Sequence, residues 1–160
     1  MADEFPITHG FLAHRPLGSY QAAVTGNGTT FYPLWTGVLF NQSNAYDNTT
    51  GIYSAPEQGI YEFLTGLNIS GYNISHVNCL MWFEINTTPL QKYYVQLNYP
   101  YEMNKHSGGV LLTGRMKVQL VAGNQVKVAV AVSGGQKSVN ANQDTVESIR
   151  NIYGGFMLPS

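Results

Sequence analysis

The residues of this 160-residue chain that could carry acid–base, nucleophilic or metal chemistry are four histidines, nine carboxylates and one cysteine. Their spacing organises none of that chemistry. His9, His14, His76 and His106 make no HExxH pair and no pair of ligands at helical spacing, and there is no CxxC. GxSxG elbows, phosphate-binding P-loops and GxGxxG turns are all missing from the sequence. A zinc site built from His9 and His14 is a weaker reading than two strand residues near the start of the chain. Asp47 precedes Thr49, Thr50 and Gly51. There an Asp carboxylate commonly accepts the amides of its own turn, which favours a structural role over metal binding. Glu62 is the odd acid: it lies in an apolar run, and burial would demand a basic partner across the sheet or an interface. Cys79, also in an apolar run, reads as a buried, inert thiol and has no partner for an intrachain disulfide. These patterns point away from an enzyme.

Recognition is the stronger reading. The segment Tyr93-Tyr94-Val95-Gln96-Leu97-Asn98-Tyr99-Pro100-Tyr101 concentrates tyrosine, which offers large amphipathic contact area at low entropic cost. Tyr94, Asn98, Tyr99, Tyr101 and the following His106 are the candidate ligand-binding residues. The competing reading is that these rings cap the fold or line a seam between subunits. Only 11% of residues are charged, against about 25% in typical soluble domains, so the surface is largely neutral polar and tyrosine. Such a surface suits contact with a protein or a glycan. The net charge of −1 gives no field to gather phosphates, which disfavours nucleic acid, and no apolar run is long enough to span a membrane. Asn-x-Ser/Thr sequons occur at Asn27, Asn41, Asn48, Asn68, Asn73 and Asn86, where chance placement would give roughly two. They indicate either a glycosylated surface protein or turn-rich Asn and Thr usage without glycans.

The elements that must position these residues follow a period of two. Val77, Cys79, Met81, Phe83 and Ile85 share a face, as do Val110, Leu112, Met116, Val118 and Leu120, and as do Val126, Val128, Val130 and Val132. Side chains of a strand alternate between faces, so each run predicts a strand with one buried side. Glycine- and Asn-rich turns separate the runs, and Ala122-Gly123-Asn124-Gln125 predicts a tight β-hairpin. The segment from Asn142 to Arg150 could form one helical turn. Many short strands at regular spacing predict an all-β sandwich or barrel. Residues 1–9 read as an N-terminal tail or cloning scar, because Met1 to Phe5 has neither the basic start nor the apolar stretch of a signal peptide. Residues 10–158 read as one domain.

A more specific pattern runs from Trp35 to Phe63. Trp35 is followed by Asn41, Tyr46, Tyr53, Gly59, Tyr61 and Phe63, with Tyr46-Asp47, Thr50-Gly51 and Ala55-Pro56 between. Ser107 to Val110, Leu120 to Val128, Tyr153 to Leu158 and the opening Gly10 to Arg15 continue it in order. This series resembles the C1q domain family, related to the tumour necrosis factors. Trp35 and Tyr53 stand where the family usually has Phe, Thr65 where it has an aromatic, Asn124 where it has Asp, and Ala55 where many animal members have Cys. The segment from Thr87 to His106 fits poorly. These departures mark a divergent viral, bacterial or invertebrate branch. The resemblance implies an antiparallel jelly-roll sandwich of about ten strands in two sheets. It implies a homotrimer in which Trp35, Tyr46, Tyr53, Tyr61, Phe63, Tyr153 and Phe156 form core or subunit interface. Tyr61 and Phe63 share one face of a long strand and Ile60 and Leu64 the other, so both faces can be buried. It further implies an extracellular, cell-surface or virion-surface binding head for a cell-surface protein or glycan, at the tip of a larger fibre or secreted protein. The alternative is a structural trimerisation cap on a collagen-like or coiled stalk. Some members hold calcium near the trimer axis, but no carboxylate of this chain can be assigned to it, and no other cofactor is implied.

Overall fold

The computed structural model describes residues 9–18, 21–24, 27–72, 76–98, 108–134, 139–145 and 149–159. Thirteen strands form among them, more than ten because several are pieces of two or three residues. They are β1 (Phe11–His14), β2 (Gln21–Val24), β3 (Thr30–Phe31), β4 (Gly37–Asn41), β5 (Tyr46–Asp47), β6 (Ile52–Ser54) and β7 (Gly59–Tyr72). After these come β8 (Asn78–Ile85), β9 (Gln91–Asn98), β10 (Gly108–Leu120), β11 (Gln125–Ser133), β12 (Val139–Ala141) and β13 (Ile152–Met157). All the pairings are antiparallel and fall into two sheets. One sheet runs β2-β12-β7-β13-β1-β4, with β10 along the other edge of β7. The second runs β5-β6-β11-β8-β9, with β3 on β11.

Alternation decides which side of each strand is buried. Along β7, Tyr61, Phe63, Leu67 and Ile69 are fully buried between the sheets, whereas Ile60 on the other face is 53% exposed. Across β10, Leu112, Met116 and Leu120 face inward, and Leu111, Thr113, Arg115, Lys117 and Gln119 are exposed. The inward side chains meet in one aromatic cluster. Phe11 stacks on Tyr46 at 4.5 Å and on Tyr53 at 5.0 Å, and Tyr153 meets Phe11 edge-on at 4.8 Å and Trp35 at 5.1 Å. Full burial of each ring stabilises by roughly 1.5–3 kcal/mol. The Phe63 and Phe11 rings need the small Gly155 beside them. A Cβ there would stand 2.6 Å from the Cε1 of Phe63.

The phenol tips explain how tyrosines fill this core. The hydroxyls of Tyr46, Tyr53, Tyr61 and Tyr153 donate to the carbonyls of Trp35, His9, Glu57 and Val126 at 2.6–3.0 Å. Burial pushes the pKa of all four phenols up, so they stay neutral donors. Trp35 lacks such an exit: its indole N–H is buried with no acceptor.

Three expectations change. The Ala122–Gln125 turn is no hairpin, because β10 and β11 belong to different sheets and do not pair. The turn carries the chain from one sheet to the other. It is held by Gly123 N–H to Ala55 O and Ala55 N–H to Asn124 O, both 2.8 Å. Val77 lies just before β8 and is 60% exposed. The described residues of Asn142 to Arg150 carry no helical turn. They wrap the buried Asp144, whose Oδ1 accepts the amides of Arg150 and Asn151 at 2.7 and 2.8 Å. Its Oδ2 meets His14 Nδ1 at 2.9 Å. The fully buried Arg15 lies next to this knot and donates to the carbonyls of Leu34 and Asn142. Burial pushes the guanidinium down and Asp144 pulls it back up.

Candidate functional site

The alternation that fills the core also decorates two outer faces. On the larger sheet, the register sets Glu62 opposite Lys117 of β10 and Phe156 of β13, and Leu64 opposite Arg115 and Gly154. Leu12 of β1 faces Gly154 and Phe40 of β4. The result is an apolar belt across five strands. Ile60, Leu111, Val38 and Phe40 are 40–53% exposed in it, and Leu12, Leu64, Ile152 and Phe156 are partly buried. Glu62 sits within the belt with 2% of its surface exposed. It pairs with Arg115, and with Lys117 at 3.6 Å, and both bases are themselves largely exposed. The hydrogen bond from Arg115 and the two positive charges hold its carboxyl below the usual glutamate range. A groove of about 430 Å³ adjoins the belt at Gln58, Ile60, Gln119, Met157 and Leu158.

The outer face of the smaller sheet carries a different cluster. Leu80, Trp82 and Glu84 of β8 lie against Ala129, Ala131 and Lys127 of β11. The small alanines let the indole lie flat enough to be 3% exposed. Tyr94 of β9 packs on it at 5.5 Å, and Lys92 stands over the ring at 5.1 Å. Glu84, 5% exposed, receives Lys127 Nζ at 3.1 Å, Tyr32 Oη at 3.2 Å and Trp82 Nε1 at 3.4 Å. Burial pushes this carboxyl up, but the hydrogen bonds and the charge of Lys127 outweigh it, and the net shift is downward.

Of the ligand-binding candidates, Tyr94 is 52% exposed on this second face. Asn98 ends β9, paired with Cys79. Tyr99, Tyr101 and His106 lie outside the described residues. Trp35, Tyr46, Tyr53, Tyr61, Phe63 and Tyr153 all sit between the sheets, and Phe156 lies on the outer belt. The sequence reading missed the Tyr32–Trp82–Glu84–Lys127 cluster. Its signal was the apolar company that Glu84 keeps, since Leu80 and Trp82 share its face.

Other polar side chains are occupied structurally. Asp47 accepts Thr49 N–H at 2.8 Å and Thr49 Oγ1 at 2.7 Å, and the hydroxyl bond foremost lowers its pKa. His9 contacts Ser43 and Glu57, and His14 contacts Asp144, so the two histidines serve separate networks. Among the described residues no three His, Cys, Asp or Glu converge, and the one acid in the belt is already neutralised by two bases. The described residues of one chain thus gather no carboxylate set that could hold a calcium ion by itself. The Cys79 thiol is buried and pushed up to about 12. No helix among the described residues is long and apolar enough to cross a membrane.

Neither a family model nor a curated protein sequence matches the chain. Solved structures do. The globular domain of a zebrafish complement 1qA protein superposes with a TM-score of 0.57 at 12% identity, covering 95% of this chain and 98% of its own. An Eiger TNF from S. frugiperda gives 0.61 at 11%, covering 96% and 94%. Murine APRIL gives 0.56 at 8%, covering 93% and 99%. The fold is a jelly roll of the C1q/tumour necrosis factor type. Within that type this chain is a divergent example, its likeness carried by shape at near-random identity.

Proposed function

We propose that the chain is a non-enzymatic binding head that assembles as a homotrimer through the outer face of its larger sheet. Its place is outside the cell or on a cell or virion surface, and its target is a cell-surface protein or glycan. The observation that carries this reading is the apolar belt around Ile60, Leu64, Leu111, Phe156 and Phe40. Ile60 and Leu111 alone leave about half of each side chain in water. Contiguous exposed apolar surface of this kind marks an interface. Glu62 within the belt is already paired with Arg115 and Lys117, so burial against another copy leaves this carboxylate with its partners. The trimer that the sequence resemblance implies uses this surface.

The ends of the sandwich support the division of labour. β1 starts and β13 finishes beside the Gly59 end of β7, so the first and last strands share that end of the sandwich as their outer limit. Asn98 and Gly108, which flank the segment holding the candidates Tyr99, Tyr101 and His106, lie at the opposite, Tyr72 end. A stalk or fibre at one end and recognition at the other is the arrangement of a tip. Light scattering on the purified chain at about 10 μM tests the assembly. A three-chain mass is expected, and a stable folded monomer overturns it.

A further inference from the structure

Beside Glu84 the outer face of the smaller sheet opens into a cleft of about 80 Å³, lined by Ile52, Glu84, Asn86, Leu90, Gln125 and Lys127. We infer that this cleft binds the acetamido group of an N-acetylhexosamine in a glycan. The inference gives the glycan arm of the binding-head reading a site and a chemistry, and rests on that reading.

Three properties of the cleft select this ligand. The first is an open acceptor. A carboxylate offers about four lone-pair sites. Glu84 is reached by three donors, because Tyr32 has one hydroxyl proton to share between Oε1 at 3.2 Å and Oε2 at 3.4 Å. The others are Lys127 and Trp82, and the Trp82 bond is long at 3.4 Å. One acceptor site remains for an amide N–H. The second is neutrality. Glu84 and Lys127 offset each other, so a charged ligand meets a like charge, whereas a neutral amide can donate to the carboxylate and accept from the ammonium. The third is the apolar wall beside this polar pair, which suits a methyl next to an amide. Ile52 and Leu90 supply the surface a methyl needs, and Leu90 is 51% exposed before any ligand covers it.

The rim favours a sugar over an acetylated lysine. Asn86 is exposed, and its Oδ1 is held by Gln125 N–H at 2.6 Å. That fixes the side chain with its amide nitrogen free to meet ring hydroxyls. A lysine's alkyl chain would leave Asn86 and Gln125 unused.

Trp82 is a built-in reporter, since its N–H bonds the same carboxylate, and the second indole, Trp35, lies between the sheets. Tryptophan fluorescence and calorimetry should follow titration of the intact chain with triacetylchitotriose. Its deacetylated counterpart, maltotriose and an acetyl-lysine peptide are the comparison ligands. Saturable binding of the acetylated sugar is expected, with the others at least about tenfold weaker. Glu84→Gln and Leu90→Asp should each weaken it by about tenfold or more. Leu90 is a surface residue, so its variant carries the test if Glu84→Gln does not fold. Absence of saturation by about 10 mM sinks the inference. Equal binding of the deacetylated sugar, tighter binding of the peptide, or unchanged binding by both variants does the same. Light scattering on the same samples separates the two readings. A trimer that ignores the sugar removes only the cleft, and a monomer that binds it removes only the assembly.

Discussion

Replacing Ile60 and Leu111 together by Asp should dissolve the assembly while leaving the subunit folded. The two side chains are 53% and 51% exposed, so the surface they still offer adds up to about one whole side chain. Burying that much stabilises by roughly 1.5–3 kcal/mol per subunit, or about 5–9 kcal/mol per trimer. Assembly of three chains depends on the square of concentration. The midpoint of dissociation therefore moves by the square root of the change in equilibrium constant, about 50- to 1,500-fold. This is a lower bound, because the new carboxylates enter the face without partners. Sedimentation velocity over a dilution series measures the midpoint, and far-ultraviolet circular dichroism checks the subunit. The reasoning fails if the parent is monomeric throughout, or if the variant dissociates at the parent's concentration.

Three further outcomes follow from the core and the buried acids. Trp35→Phe should change stability by no more than about 1 kcal/mol, since the small cavity is offset by removal of an unsatisfied N–H; Trp35→Ala should cost about 3–5 kcal/mol in urea unfolding. Gly155→Ala should cost about 1–3 kcal/mol and lower the melting temperature by several degrees, because its Cβ collides with the Phe63 ring. Burial pushes Asp144 up, but the Arg150 and Asn151 amides and His14 outweigh it, so its folded pKa is lowered. Its contribution is fully present above the unfolded value of about 3.9 and is lost as pH falls through the lower folded value. Asp144→Asn should therefore be less stable at pH 7 by about 1–3 kcal/mol and show a shallower loss on acidification, in urea midpoints measured from pH 6 to pH 2.

The strands were legible because alternation is a local property: the valines of β11 and the even-numbered residues of β10 declare their buried face without reference to any partner. Sheet membership is not local. Gly123-Asn124 offers the same turn chemistry whether the flanking strands pair or part, and only the Ala55 contacts of the folded chain decide. Glu62 announced its need for a base, and β10 supplies two. The Glu84 cluster stayed hidden because burial of Trp82 depends on alanines from β11 and on Tyr94 and Lys92 from β9, and that cross-strand neighbourhood cannot be read along one strand. The tyrosine motif allowed both recognition and a capping role, and Tyr94 packs on the Trp82 indole while half of it stays exposed.

β10 and β11 are joined by a short turn yet part to opposite sheets, and that has a consequence for how the chain reaches this state. These two neighbours cannot zip together, so β10 must wait for β7 and β11 for β8, each some forty residues away or more. Such topology makes folding slow compared with helical domains, in the range of milliseconds to seconds. Until β7 is seated, both of its edges and the belt beside them are open to other chains, and the surface proposed for assembly is also the one most prone to premature aggregation during synthesis.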